Sequence, residues 1–317
     1  MFPEIPNVGY ILISLIMLYY GGDLLVTGSI RLATRFKISP FVIGATVIGF
    51  GTSAPELAVS VLASLHGSGE LALGNVIGSN IANVGLALGL TSLLIPPLTI
   101  NERLFRNEVL PLLIASFLIL FLAWDQHLSQ EEGGFMVVLL VVYLWMAFGK
   151  KEVSDINLEE SGHYLEDRGL PTQASLIIFG LILLIVGAEV MVKGATGIAR
   201  EMGVSEWFIG VSIVAVGTSL PEIVSALIAA KRGHGEMAIG NVFGSNIFNI
   251  LLVLGAASSI QPLEIEETIH PDLIFTTAFI CLLLVLIRIK HNLSRLDGAL
   301  LLLGYATYIG LKGTGVL

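Results

Sequence analysis

The sequence predicts an all-α membrane protein: ten transmembrane helices arranged as two inverted five-helix repeats. Three observations predict it. Apolar residues gather in ten runs long enough to cross a bilayer, the second half of the chain repeats the first at a fixed offset, and the repeating unit holds an odd number of runs.

Of the 317 residues, 55% are hydrophobic and 13% charged, against about 25% charged in soluble domains. Crossing hydrocarbon takes roughly 20 helical residues. The runs fall at about 5–26, 40–65, 71–96, 108–124, 134–149, 174–195, 207–230, 236–260, 272–289 and 296–312. Helices are expected because lipid leaves no partner for free backbone groups, and the runs lack the alternation of barrel strands. The first run has no basic flank and no small-residue cleavage site, so it reads as a retained span. Glu70 and Glu236 open the third and eighth spans as first-turn acids, where the helix dipole favours them. Cys281, the single cysteine, is a small apolar filler in the ninth span and excludes an intramolecular disulfide or a thiolate metal cluster.

Orientation follows from the connections. With the N-terminus outside, thirteen of the sixteen Lys and Arg residues fall on inside loops, leaving Lys193, Arg200 and Lys312 elsewhere. The acidic loops 125–132 and 264–272 contain no Lys or Arg and fall outside. Both termini are therefore expected on the extracytoplasmic face of a cell inner (plasma) membrane. The net charge of −9 lies largely in loops, and no basic tract offers a surface for nucleic acid.

Residues 42–90 and 208–256 align without a gap at an offset of 166, and nearly half of the 49 pairs are identical. The offset extends upstream, where Gly21, Asp23, Gly28, Ala33 and Ser39 meet Gly187, Glu189, Gly194, Ala199 and Ser205. The chain thus divides into a first repeat at 1–149, a cytoplasmic linker at 150–172 and a second repeat at 173–317. A unit of five spans enters the membrane from opposite sides in its two copies. That is the inverted plan of secondary transporters, with the substrate held near the midplane where the halves meet.

Each repeat carries two polar motifs inside a span: GTSAPE at 51–56 and GNVIGSNIAN at 74–83, matched by GTSLPE at 217–222 and GNVFGSNIFN at 240–249. Pro55 and Pro221 lack an N–H and clash one turn back at Gly51 and Gly217, which supply permissive backbone for a local unwinding. Carbonyls freed in lipid cost several kcal/mol each unless something satisfies them, and a cation can. Thr52, Ser53, Thr218 and Ser219 add neutral oxygens, and Glu56 and Glu222 add charge. Such an all-oxygen set suits hard cations; no histidine lies inside a span. The second motif adds Asn75, Ser79, Asn80 and Asn83, with Asn241, Ser245, Asn246 and Asn249 as counterparts. Their oxygens can ligate and their amide groups can hold the glutamates, while Gly74, Gly78, Gly240 and Gly244 allow close helix approach. Isolated Gly and Pro are common kinks in membrane helices. Two intramembrane glutamates at matched positions, with no Lys or Arg in either motif, are instead a functional site by default. Asp23 and Glu189 either line an ion path or face water or a polar neighbour. The buried serines have no His or Lys base nearby in sequence, and HExxH is absent, so no enzyme is expected.

At GTSAPE, GNVIGSN, GTSLPE and GNVFGSN the sequence resembles the sodium/calcium exchangers of the cation/calcium antiporter superfamily, most closely their short prokaryotic members. The resemblance covers nearly the whole chain. It implies secondary active antiport of calcium against sodium by alternating access, with the second, third, seventh and eighth spans as an ion-binding core past which the first and sixth slide. It also implies that Glu56 and Glu222 bridge calcium and contact sodium, with the Thr52 and Thr218 carbonyls in the calcium shell. Ser53, Ser79, Ser219 and Ser245, with the carbonyls of Gly49 and Ala215, complete sodium sites, and Asn83 lies at the centre. Asn249 stands where some relatives carry aspartate, which argues against potassium dependence. Calcium and sodium are expected as cargo and the lipid bilayer as surroundings, with no cofactor and no obligate protein partner. Proton-coupled divalent-cation exchange and a cation channel are the alternatives.

Overall fold

The computed structural model describes residues 6–149, 169–203, 213, 215–265 and 269–314. The expected linker at 150–172 lies mostly outside these residues, as does the start of the expected span 207–230. In chain order the first half comprises α1 (Asn7–Phe36), α2 (Pro40–Thr52), α3 (Ala54–Leu65), α4 (Gly69–Leu94), β1 (Leu98–Thr99), α5 (Glu102–Leu122), β2 (His127–Leu128) and α6 (Gln130–Gly149). The second half comprises α7 (Leu170–Glu201), α8 (Ala215–Thr218), α9 (Leu220–Lys231), α10 (Gly235–Ile260), β3 (Leu263–Glu264), α11 (His270–Lys290), β4 (Asn292–Leu293) and α12 (Arg295–Gly313).

Among the described residues, seven helices are long and apolar enough to cross a membrane: α1, α4, α5, α6, α7, α10 and α11. The bent pair α2–α3 forms an eighth span if counted as one. The described part of the expected run 207–230 holds α8 and α9, and the expected run 296–312 lies within α12.

Helices α1 and α7 run well past the apolar segments that announced them, to 30 and 32 residues. The polar ends bearing Arg31 and Arg200 stay helical. The two helices pack antiparallel through glycines contributed by both. A Cβ on Gly28 would meet the Gln173 carbonyl at 3.0 Å, and one on Gly187 would meet the Leu18 amide at 3.2 Å.

Helix α10 is buried almost throughout and α4 is mostly buried, whereas α6 and α7 are largely exposed. An inner α4 and α10 within an outer ring is the order that an apolar solvent tolerates, since most polar side chains of the motifs sit on these two helices. Gly240 and Gly244 bring α10 into backbone contact with α2; a Cβ at either would strike the carbonyl of Phe41 or Ala45. Phe41 also packs edge-to-face on Phe243 with centroids 5.9 Å apart.

Two short antiparallel ribbons join the halves. Leu98 and Thr99 pair with Leu293 and Asn292, and His127 and Leu128 pair with Glu264 and Leu263. Each ribbon takes one strand from either half.

Candidate functional site

In both halves the GTS-x-PE motif interrupts a helix at one residue. Helix α2 ends at Thr52, Ser53 takes φ −79° and ψ 2°, and α3 starts at Ala54 with Pro55 in its first positions. Helix α8 ends at Thr218, Ser219 takes φ −87° and ψ 1°, and α9 starts at Leu220 with Pro221 in the same place. The bend between α2 and α3 is 45°. The expected unwinding is therefore a kink one residue wide. Proline needs no N–H partner in a first helical turn, so restarting the helix just before it costs less than opening a longer gap.

This restart places Glu56 in the first turn of α3 and Glu222 in the first turn of α9. Both side chains are fully buried. Each carboxylate thus lies at a helix N-terminus, where the exposed N–H groups favour negative charge.

Asparagines of the second motif fasten the paired helices. The Asn75 amide donates to the Glu56 carbonyl at 3.2 Å and to Ser60 Oγ at 2.9 Å. The Asn241 amide donates to the Glu222 carbonyl at 3.3 Å and to Ser225 Oγ at 2.9 Å. Ser60 and Ser225 are not at equivalent positions: the offset of 166 sets Ser60 against Ala226 and Ser225 against Val59. Comparing the repeats therefore passes over both serines, although each is a hydroxyl one turn below a glutamate.

Four other asparagines join α4 to α10. Asn83 Nδ2 donates to Asn246 Oδ1 and Asn249 Nδ2 to Asn80 Oδ1, both at 3.1 Å. Asn80 Nδ2 reaches the Asn246 carbonyl at 3.4 Å, and Asn246 Nδ2 the Asn80 carbonyl at 3.5 Å. Just beyond this cluster, α4 and α10 each pass into a π-helical stretch, Asn83–Leu88 and Asn249–Leu254. Such stretches often mark functional sites.

The asparagine amides are thereby engaged while oxygens are left over. Ser79 Oγ donates to Glu56 Oε1 at 3.3 Å. Seven buried oxygens of the motifs have no hydrogen-bond partner: Ser53 Oγ, Glu56 Oε2, Asn83 Oδ1, Ser219 Oγ, both carboxylate oxygens of Glu222, and Asn249 Oδ1. An unsatisfied buried polar group costs about 1–3 kcal/mol, and more when charged. A dehydrated cation turns such a set from a liability into a ligand shell. Every unpartnered atom in it is an oxygen, and among the described residues no three His, Cys, Asp or Glu side chains cluster. The site is suited to a hard cation held by two carboxylates and neutral oxygens.

The remaining expected ligands have distinct surroundings. Thr52 Oγ1 donates to the Ile48 carbonyl at 3.1 Å and stands 3.3 Å from Ser245 Oγ. The Gly49 carbonyl already accepts from the Ser53 amide at 3.1 Å and from Ser245 Oγ at 3.4 Å. Ala215 opens α8, and Thr218 lines a cavity of about 480 Å³. That cavity is bounded by Pro55 and Val59 of α3, Ala188 and Glu189 of α7, and Gly217 and Pro221. It reaches the residues beside both glutamates.

The chain is also similar to proteins of known family. The family described as sodium/calcium exchanger protein matches residues 6–149 and 172–313. The sodium/calcium exchanger MaX1 of Methanosarcina acetivorans is 32% identical over 343 residues, covering 94% of this chain and 96% of that protein. The inner membrane protein YrbG of Escherichia coli is 35% identical over 264 residues, covering 81% of this chain and 80% of its own. Among solved structures, the sodium-calcium exchanger NCX_Mj superposes with a TM-score of 0.81 at 37% identity, covering 96% of this chain and 97% of that one.

Proposed function

The chain belongs to the sodium/calcium exchanger protein family, and from this we infer that it is a membrane antiporter exchanging calcium for sodium. The observation that carries the reading at this chain's own residues is the pair of fully buried glutamates, one per half, three of whose four carboxylate oxygens have no hydrogen-bond partner.

The proposed cation site comprises Glu56 and Glu222 with Ser53, Ser79, Ser219, Ser245, Asn83 and Asn249, and with the carbonyls of Thr52, Thr218, Gly49 and Ala215. One calcium or two sodium ions neutralise two carboxylates. The empty site retains two like charges in a dry interior, and closing helices over them is unfavourable. Only loaded states then rearrange easily, which makes exchange obligatory under alternating access. The proposed frame is ten spans in two inverted repeats, 1–149 and 173–317, joined by the linker 150–172. Its place is the inner (plasma) membrane with both termini on the extracytoplasmic side. The cross-half ribbons and the antiparallel α1–α7 pair support that frame, as does the charge bias of the loops.

The test is calcium-45 uptake into sodium-loaded vesicles. Uptake should depend on the outward sodium gradient and vanish in Glu56→Gln and in Glu222→Gln. Uptake indifferent to sodium would reject the coupling, and wild-type flux in either variant would remove the site.

A further inference from the structure

Positions that the repeat makes equivalent are not in equivalent surroundings. On α1, Asp23 forms an ion pair with Arg232, which follows α9, and Arg232 also donates to Thr27 at 2.5 Å. Beside this pair the helices touch: a Cβ on Gly22 would stand 2.5 Å from Ile228 Cδ1 and 3.0 Å from Val224 Cγ1. The offset of 166 turns Asp23 into Glu189, Arg232 into His66, Gly22 into Ala188 and Ile228 into Leu62. There the surfaces are apart. Ala188 and Glu189 face Val59 across the 480 Å³ cavity. Ile228 is 9% exposed, but its counterpart Leu62 is 56% exposed. Glu189 makes no hydrogen bond or ion pair with any described residue, and His66 turns its Nδ1 back to the Leu62 carbonyl at 2.7 Å.

We propose that Asp23 and Arg232 form a latch holding one side of the ion pathway closed, and that Glu189 and His66 form the matching latch of the opposite state. The proposal rests on the alternating-access reading above. Glycine contacts along their length make α1 and α7 move together. Bringing Glu189 onto His66 therefore draws Asp23 off Arg232. The side chains of Arg232 and Asp23 are 27% and 33% exposed, and an ion pair so placed stabilises only modestly. It biases the equilibrium between the two states without locking it, as a transporter that must release the latch each cycle requires. Asp23, Arg232, Glu189 and His66 act here as positioning residues.

The test uses full-length protein in vesicles, in a Cys281→Ser background, with single reporter cysteines at Val224→Cys (closed side) and Val59→Cys (cavity side). Labelling by a membrane-impermeant thiol reagent is read with and without Asp23→Asn or Arg232→Gln. Either variant should raise Val224→Cys labelling about fivefold and lower that of Val59→Cys, and the exchanged pair Asp23→Arg with Arg232→Asp should return both toward the starting values. Glu189→Gln should shift both reporters the other way, by favouring the closed Asp23 side. Unchanged Val224→Cys labelling in Arg232→Gln would overturn the latch. Calcium titration of the same preparations separates the two readings: failure of the Cys281→Ser parent, its latch intact, to bind calcium removes the exchange reading, whereas calcium binding with indifferent labelling removes the latch alone.

Discussion

Asn83 donates its amide to the Asn246 side-chain oxygen at 3.1 Å, which leaves the Asn83 oxygen buried without a partner. Asn249 does the same toward Asn80. Each asparagine spends its donor on the opposite half and keeps a buried oxygen free. Replacing Asn249 by Asp should therefore add a third negative charge to the site at nearly the same side-chain volume, giving up the bond to Asn80 Oδ1. One calcium would no longer neutralise it, and the number of sodium ions moved per calcium should rise. Reversal potentials in reconstituted vesicles read this directly; an unchanged value would place Asn249 outside the site.

Truncating Asn83 to Ala removes one neutral oxygen and frees the Asn246 oxygen that Asn83 had occupied. Calcium affinity should fall about tenfold, the equivalent of about 1.4 kcal/mol. Isothermal titration of purified protein measures it.

Ser60 and Ser225 hold the asparagines that fix the glutamate-bearing turns, at 2.9 Å in both halves. Ser60→Ala should lower stability by about 1 kcal/mol while leaving the ligand oxygens in place. A double-mutant cycle with Asn75→Ala in thermal unfolding should give a coupling energy of similar size. Strict additivity would show that the bond does not hold the turn.

Gly244→Ala drives a methyl into the Ala45 carbonyl, backbone against backbone, where nothing can yield. That variant should not be recovered as monodisperse protein. Gly134→Ala, on the exposed helix α6, meets nothing within 4 Å and should be neutral or stabilising by up to about 1 kcal/mol through helix propensity. Size-exclusion profiles after extraction distinguish the two.

A cation that binds only the folded state must raise its melting temperature. Calcium at a hundred times its dissociation constant should add about 2.7 kcal/mol. That increment should disappear in Glu222→Gln, because a neutral amide cannot balance the charge of a dehydrated divalent ion. Thermal unfolding with and without calcium reads both.

The legible part of this chain was whatever repeats in register. The two glutamates, the prolines beside them and the matched asparagines stand at equal offsets, and a buried carboxylate without a basic partner has few bland explanations. What escaped was set by packing across the molecule. Ser60 and Ser225 differ by one position in the alignment, because a side chain leaving a helix can reach the same neighbour from adjacent residues. Asp23 and Arg232 are 209 residues apart, and Arg232 entered the sequence reading only as one positive charge on a loop. Helices α1 and α7 exceed their apolar runs because a helix persists beyond hydrocarbon wherever its backbone bonds remain internal. The local break falls at Ser53, just after Gly51, because a proline in the first turn of the restarted helix is at ease.

The two ribbons have a consequence for how the chain is made. Leu98 and Thr99 must await partners at 292–293, and His127 and Leu128 await 263–264. A chain translated only through its first half therefore has ribbon edges that are still unmatched. Neither half alone holds both sets of motif oxygens, so a chain cut short before the second repeat lacks Glu222 and its neighbours.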